Sequence, residues 1–322
     1  MTIISNKSNK DFFVTKNRTD QLTFESYLCP DSELSLTATF DCGQCFRWRR
    51  ENADSDSDSF VPSQRRRDKV KRNNCNDNCD SDSIGNKISY NGIVCGLPIR
   101  VYSDGVSVRA KGYGTIDFWR NYFDLERDYK SILSQFGDHP FTAAAIKFGC
   151  GLRVLKQDAW EMLVSYIISQ NNNIPRISSS ISKICAMCGE RIEFDGLEFY
   201  SFPSAEKILK LNESELRQAG LGYRTDYLIS VSQAAAEGKI NLDEIKKLPT
   251  DEAREILLQL RGVGPKVANC VLLFGLGKLD AFPIDTWINK AAKYYGNNLD
   301  ATRFGKYAGI AQEYIFYYIR NL

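Results

Sequence analysis

The sequence predicts an α+β protein, with an N-terminal antiparallel β-sheet domain followed by a mainly α-helical body. Three observations predict this. Residues 20–50 and 88–111 are rich in β-branched and aromatic side chains and carry the turn signals Asn91-Gly92 and Asp104-Gly105. From about residue 117 apolar positions recur at the helical period instead. Near 250–275, two helical patterns meet across a Gly-Val-Gly hairpin. The expected division is 1–116 for the sheet domain and 117–322 for the helical body.

Taken in order, "SLTATFDCGQCFRWRR" and "KISYNGIVCGLPIRVYSDGVSVRA" read as strands. Between them, residues 51–87 carry an Asp/Ser repeat, the basic run "RRRDKVKR" and an Asn/Asp tract, with almost nothing to bury. That composition predicts a disordered insertion in a hairpin connection, and a solvated charge run is the better reading of the basic cluster. Cys75 and Cys79 lack a second ligand pair, so no metal site is expected there. In "QDAWEMLVSYIISQ", Trp160, Leu163, Val164, Ile167 and Ile168 fall on one helical face, with Asp158 and Glu161 resembling a capping box. Asn212 with Glu215 opens another helix that Gly220 and Gly222 close. "TDEAREILLQL" is a further helix, with Thr250 as its expected cap, and "YAGIAQEYIFYYIR" is the last.

Composition bounds the function classes without choosing among them. A chain of 322 residues with 43% apolar content can build two or three modest cores. No apolar run has membrane-spanning length, and no charged-then-apolar leader pattern stands at the start. Ten cysteines are scattered, with Cys185 and Cys270 inside apolar patterns, which points to reduced thiols and an intracellular setting. That setting would be cytoplasm or nucleoid in a prokaryote, or nucleus in a eukaryote. A net charge of +2 neither favours nor excludes nucleic acid. No Gly-rich phosphate loop of the Walker or Rossmann type occurs.

Chemistry concentrates in "LRGVGPKVANCVLLFGLGKLDAFPIDTWINKAAK". Gly262 suits a left-handed helix terminus, and Pro265 suits the first turn of the next helix. The hairpin between them, with Gly262 and Gly264, turns backbone N–H groups toward a prospective phosphate. An ordinary αα-hairpin would share that spacing, so the glycines alone do not choose. Lys266 adds to them: a lysine in a helix's first turn meets an unfavourable dipole, which favours the free, nucleophilic amine. Asp285, before "TWINKAAKYYG", is a good N-cap, and a cap leaves one carboxylate oxygen for other work.

"LRGVGPKVANCV" followed by "FPIDTW" resembles the helix–hairpin–helix, Gly/Pro-rich, Asp signature of base-excision DNA glycosylases. More specifically, the chain is similar to the 8-oxoguanine DNA glycosylase/AP lyase family. "GQCFRW", "ISQNNNIPRI", "GLGYR" and "GIAQEYIF" match that family in order, so the likeness spans nearly all of the chain outside 51–87. The resemblance implies a bifunctional enzyme that excises 8-oxoguanine from double-stranded DNA, preferably opposite cytosine. Its rivals are a glycosylase for another damaged base and a non-catalytic helix–hairpin–helix DNA-binding protein.

By the same resemblance Lys266 is the Schiff-base nucleophile and Asp285 assists glycosidic cleavage. Gly43 offers a carbonyl to the lesion's N7–H, Cys270 and Phe316 sandwich the extruded base, and Gln312 reads its Watson–Crick edge. Asn171 fills the vacated space, while Arg176, Tyr223 and Arg224 contact or wedge beside the orphaned cytosine. The chemistry implied needs no metal or organic cofactor, although a monovalent or divalent cation on the hairpin carbonyls is compatible with it. A monomer is expected, with no membrane partner. Trp287 stands where the family often has a histidine, which puts one phosphate contact in doubt. No four-cysteine cluster follows Cys270, so the iron–sulfur branch of the superfamily is not indicated.

Overall fold

A computed structural model describes residues 23–51 and 88–322. The basic run, Cys75 and Cys79 lie outside the described residues. Five strands form an antiparallel sheet in the order β1-β5-β4-β3-β2: β1 is Thr23–Pro30, β2 Arg49–Arg50, β3 Ile88–Val94, β4 Leu97–Ser103 and β5 Ser107–Tyr113. The β4–β5 turn forms where Asp104-Gly105 predicts it. Asp104 accepts the N–H groups of Val106 (2.9 Å) and Ser107 (2.8 Å), and Gly105 takes φ +86°.

Two local expectations are corrected. Asn91-Gly92 is not a turn: both residues lie inside β3, and the β3–β4 turn falls at Cys95-Gly96, with φ of 51° and 77°. Gly92 is needed for space, because a Cβ there would lie 2.5 Å from the Trp48 ring. The stretch Leu36–Asp41, expected as strand, is a helix started by Ser35, whose hydroxyl accepts the Ala38 N–H at 3.2 Å. Packing on both sides overrides its β-branched composition. Phe40 and Cys45 join the sheet's core while Ala38, Cys42 and Phe46 join the helical one.

The sheet's core also takes in the helix Ile116–Tyr122, through Trp119 and Tyr122, and then Phe123, Leu125 and Leu155. The rest of the body is helical apart from one hairpin, β6 (Arg191–Phe194) with β7 (Leu197–Tyr200). Its Asp195-Gly196 turn, both residues at positive φ, is a standard hairpin signal that the helical reading passed over. The helix Ala159–Ile168 is buried on all sides from Glu161 onward rather than along one stripe. Asp158 accepts the Glu161 N–H at 2.8 Å, but the Glu161 carboxylate leaves the cap for Arg47 at 3.1 Å. Asn212 and Glu215 do form a reciprocal capping box, and Gly220 and Gly222 close that helix at φ of 86° and 58°. Thr250 does not cap its helix; the N-cap is Pro249, and the Thr250 hydroxyl bonds Asp280 at 2.7 Å. Among the described residues no helix is long and apolar enough to cross a membrane.

Residues 42–48 stitch the two cores together. Gln44 is buried, with its Nε2 on the carbonyls of Thr39 (2.9 Å) and Arg153 (2.8 Å) and its Oε1 accepting the Leu155 N–H (2.8 Å). Its backbone carbonyl is held by Gln157 Nε2 at 2.7 Å. The buried polar atoms of Gln44 are thereby satisfied, which anchors the residue after Gly43 at the junction.

Candidate active site at the helical hairpin

The hairpin forms as its residues require. The helix Thr250–Leu258 ends in a turn where Gly262 adopts φ +86°, packed so closely that a Cβ would lie 2.3 Å from the Tyr227 ring. The next helix, Pro265–Cys270, has Gly264 at its N-cap and no side-chain cap, which leaves its first N–H groups to an outside acceptor. It then widens into a π turn, Val271–Gly275. Lys266 lies in the first turn, half-buried, its Nζ 4.8 Å from the centroid of the buried Tyr166 ring. Cys270, one turn on, is within hydrogen-bonding reach of Lys266. Burial pushes the Cys270 thiol up to about 11 against the lowering effect of the Lys266 charge, so it is a neutral, apolar wall at neutral pH.

Asp285 caps the helix Thr286–Ala291 as the sequence predicts. Its Oδ1 alone accepts both the Trp287 and Ile288 N–H groups, each at 2.9 Å. Asp285 and Lys266 both bear electrostatically on Glu313 in the C-terminal helix Ala308–Asn321. Gln312 precedes it, 4% exposed, with an Oε1 that has no partner among the described residues. A buried acceptor left unpaired is costly unless a ligand satisfies it. Gly43 faces the same helix: at φ +103°, a Cβ there would lie 3.1 Å from Arg320 Nη1, 3.2 Å from Ile174 Cδ1 and 3.7 Å from Phe316 Cε1. Phe316 is half-buried beside it.

Of the residues expected at the opposite strand, Asn171, Tyr223 and Arg224 form a second, contiguous group. Gln170 links it to the hairpin by donating to the Gly262 carbonyl at 2.9 Å. Asn171, at φ 47°, donates to the Tyr223 hydroxyl at 3.2 Å. Tyr223 is 47% exposed, an aromatic ring standing in solvent. Arg224 differs from its neighbours in being 8% exposed. Its guanidinium donates to the backbone carbonyls of Gln170 (2.8 Å), Leu221 (3.1 Å) and Asn171 (3.1 Å), and so holds the 170–171 loop. Arg176 is exposed, its backbone N–H taken by the Asn173 cap of the helix Ile174–Cys188. Trp287 is half-buried under Lys290, whose Nζ lies 4.1 Å from its ring centroid.

Sequence reasoning missed Glu313, Tyr166 and Arg320. Glu313 is 2% exposed, and burial raises its carboxyl to about 7. An acid beside a glutamine in an otherwise apolar helix was the available signal. No cluster of His, Cys, Asp or Glu suited to a metal occurs among the described residues. A cavity of about 860 Å³ elsewhere, walled by Glu33, Tyr129, Arg153 and Tyr314 among others, contains none of these site residues.

Comparison with known proteins fits this geometry. Residues 26–163 match the 8-oxoguanine DNA glycosylase N-terminal domain, and 164–303 match the HhH-GPD superfamily base excision DNA repair protein. The N-glycosylase/DNA lyase OGG1 of Arabidopsis thaliana is 30% identical over 312 residues, covering 88% of this chain and 77% of that protein. The chain belongs to the 8-oxoguanine DNA glycosylase family. A probable N-glycosylase/DNA lyase of Methanothermobacter thermautotrophicus is 31% identical over 229 residues, or 62% of this chain and 73% of that one. The 8-oxoguanine glycosylase/lyase of Clostridium acetobutylicum, solved with double-stranded DNA containing cytosine opposite 8-oxoguanine, superposes with a TM-score of 0.74. It is 30% identical, with 93% of this chain and 98% of that one covered. The two family matches meet at residue 163/164, inside the helix Ala159–Ile168 that carries Tyr166 to Lys266.

Proposed function

We propose that Lys266 is the nucleophile of this enzyme, Asp285 its electrostatic partner, and cytosine its preferred opposite base. As a member of the family the protein is an N-glycosylase/DNA lyase acting on 8-oxoguanine in double-stranded DNA. The observation that carries the site assignment is that Lys266 and Asp285 both act electrostatically on Cys270 and on buried Glu313, beside which Gln312 carries an unpaired Oε1 on the same helix. A flipped base would meet Cys270 on one side and Phe316 on the other, with Gln312 satisfied by its Watson–Crick edge. The Gly43 carbonyl, which accepts no bond among the described residues, would take the N7–H that guanine lacks. Discrimination would then rest on a paired against an unpaired buried acceptor.

In the reaction the Lys266 amine forms a bond to C1′ as the C1′–N9 bond breaks, its electron pair leaving with the base. Asp285 stabilises the positive charge developing on the sugar. The amine then gives a proton to the ring oxygen as the C1′–O4′ bond opens, leaving the protonated imine. Removal of a C2′ proton then expels the 3′ phosphate oxygen and cuts the strand. The hairpin would grip a backbone phosphate through the free N–H groups of Gly264, Lys266 and Val267. A cation there would find neutral carbonyl oxygens of the kind hard cations take. Two are already engaged, Gly262's by Gln170 and Leu260's by the Val263 N–H at 3.0 Å, and no step is routed through it.

On the opposite strand the exposed Arg176 would donate to the cytosine O2 and N3 acceptors. Arg224 would have to exchange its carbonyl bonds to join it, so its first role is to set Asn171 and Tyr223. The DNA substrate locates the work in the DNA-containing compartment. Borohydride reduction tests the nucleophile: wild-type protein should yield a covalent adduct with lesion duplex, and Lys266→Gln should bind the duplex without forming one. An adduct in the Gln variant would assign the nucleophile elsewhere.

A further inference from the structure

We propose that Glu313 and Arg320 together clamp Cys42, and that this clamp positions the Gly43 carbonyl for reading the lesion. The inference rests on the reading of Gly43 given above. Arg320 Nη1 donates to the Cys42 carbonyl at 2.9 Å, the oxygen of the peptide bond leading into Gly43, and packs against Gly43 itself. Glu313 engages the same residue through its side chain, with its carboxyl beside the buried Cys42 thiol. Glu313, Phe316 and Arg320 stand at i, i+3 and i+7, so one stripe of the C-terminal helix addresses one turn. Glu313 Oε1 has no partner among the described residues, although the residue is 2% exposed.

The arrangement makes the clamp sensitive to ionisation. Neutral Glu313 leaves the Arg320 guanidinium on the Cys42 carbonyl. A charged Glu313 carboxylate competes for that guanidinium, and it has no donor of its own for Oε1. Drawing Arg320 away would release the Cys42–Gly43 peptide to rotate. Burial raises this carboxyl to about 7, with Cys42 and the Arg320 charge opposing, Asp285 adding to the rise and Lys266 opposing it. The other groups facing it are Cys45, Tyr166 and Cys270. Burial pushes Cys42, Cys45 and Tyr166 far upward and Cys270 to about 11, so these remain protonated while Glu313 titrates.

The test measures binding of duplexes containing 8-oxoguanine or guanine opposite cytosine, between pH 6 and pH 8, in a Lys266→Gln background that removes the amine. Preference for 8-oxoguanine should fall several-fold across that range. Adding the isosteric Glu313→Gln should hold the preference high and make it independent of pH. Adding Arg320→Gln should make it low and independent of pH. A Glu313→Gln protein that keeps the fall with pH overturns the proposal, as does an Arg320→Gln protein with full preference. No preference at any pH in the parent would overturn the Gly43 reading itself, and the clamp with it.

Discussion

Replacing Asp285 by Asn separates the two jobs assigned to that residue. Both helix N–H groups are accepted by one oxygen, Oδ1, at 2.9 Å, and Oδ2 has no hydrogen-bond partner among the described residues. Asn keeps an Oδ1 acceptor in the same place, and Asn caps about as well as Asp. What the helix loses is attraction between a charge and its dipole, about 0.3–1 kcal/mol. What the reaction loses is larger. A full charge about 4 Å from a developing cation, at an effective dielectric of about 20, is worth about 4 kcal/mol. At about 1.4 kcal/mol per tenfold, that is roughly 10²–10³ in the rate of base loss. Single-turnover excision from a duplex carrying 8-oxoguanine opposite cytosine reads the rate, and thermal unfolding reads the cap. Asp285→Ala should add a loss of about 1 kcal/mol in stability to the same loss in rate. An Asn protein that excises at the wild-type rate would reduce Asp285 to a cap and refute the electrostatic argument.

Gly262→Ala should cost about 2–4 kcal/mol, because φ +86° strains any L side chain and its Cβ would press into Tyr227 at 2.3 Å; denaturant unfolding measures it, and a neutral result would mean the hairpin relaxes freely. Glu313→Gln should stabilise the protein at neutral and alkaline pH. The folded-state carboxyl is raised from 4.5 to about 7, so the native state holds a proton that the unfolded state has lost. Wild-type stability therefore falls as pH climbs through that window, by roughly 3 kcal/mol in all; urea midpoints at pH 5 and pH 8 check the sign. Arg176→Ala should flatten the preference for cytosine over adenine opposite the lesion more than it slows excision opposite cytosine. Equal wild-type rates with the two partners would show that Arg176 only touches phosphate.

Local rules worked where the chain interacts with itself over a few residues. Asn212 with Glu215, Asp104-Gly105, Gly262, Pro265 and the Asp285 cap all appear where their chemistry puts them. They failed where a distant partner decides. Leu36–Asp41 is a helix because two cores claim opposite sides of it, and Gly92 is a strand residue because Trp48 occupies the space of its missing side chain. The site divides in the same way. Lys266 and Asp285 carry local signatures, a hairpin and a cap, that mark them in the sequence. Glu313 and Arg320 have no such mark, since their meaning depends on Cys42, more than two hundred and seventy residues away from Arg320 along the chain. On the proposed reading, the lesion's recognition is coupled to the end of the chain. The carbonyl that would distinguish 8-oxoguanine belongs to the N-terminal segment, while the groups that fix its direction sit on the last helix. If Gly43 reads the lesion in this way, separating the C-terminal helix from the 42–48 segment by Arg320→Gln should lower lesion preference, because Arg320 is the donor to the Cys42 carbonyl.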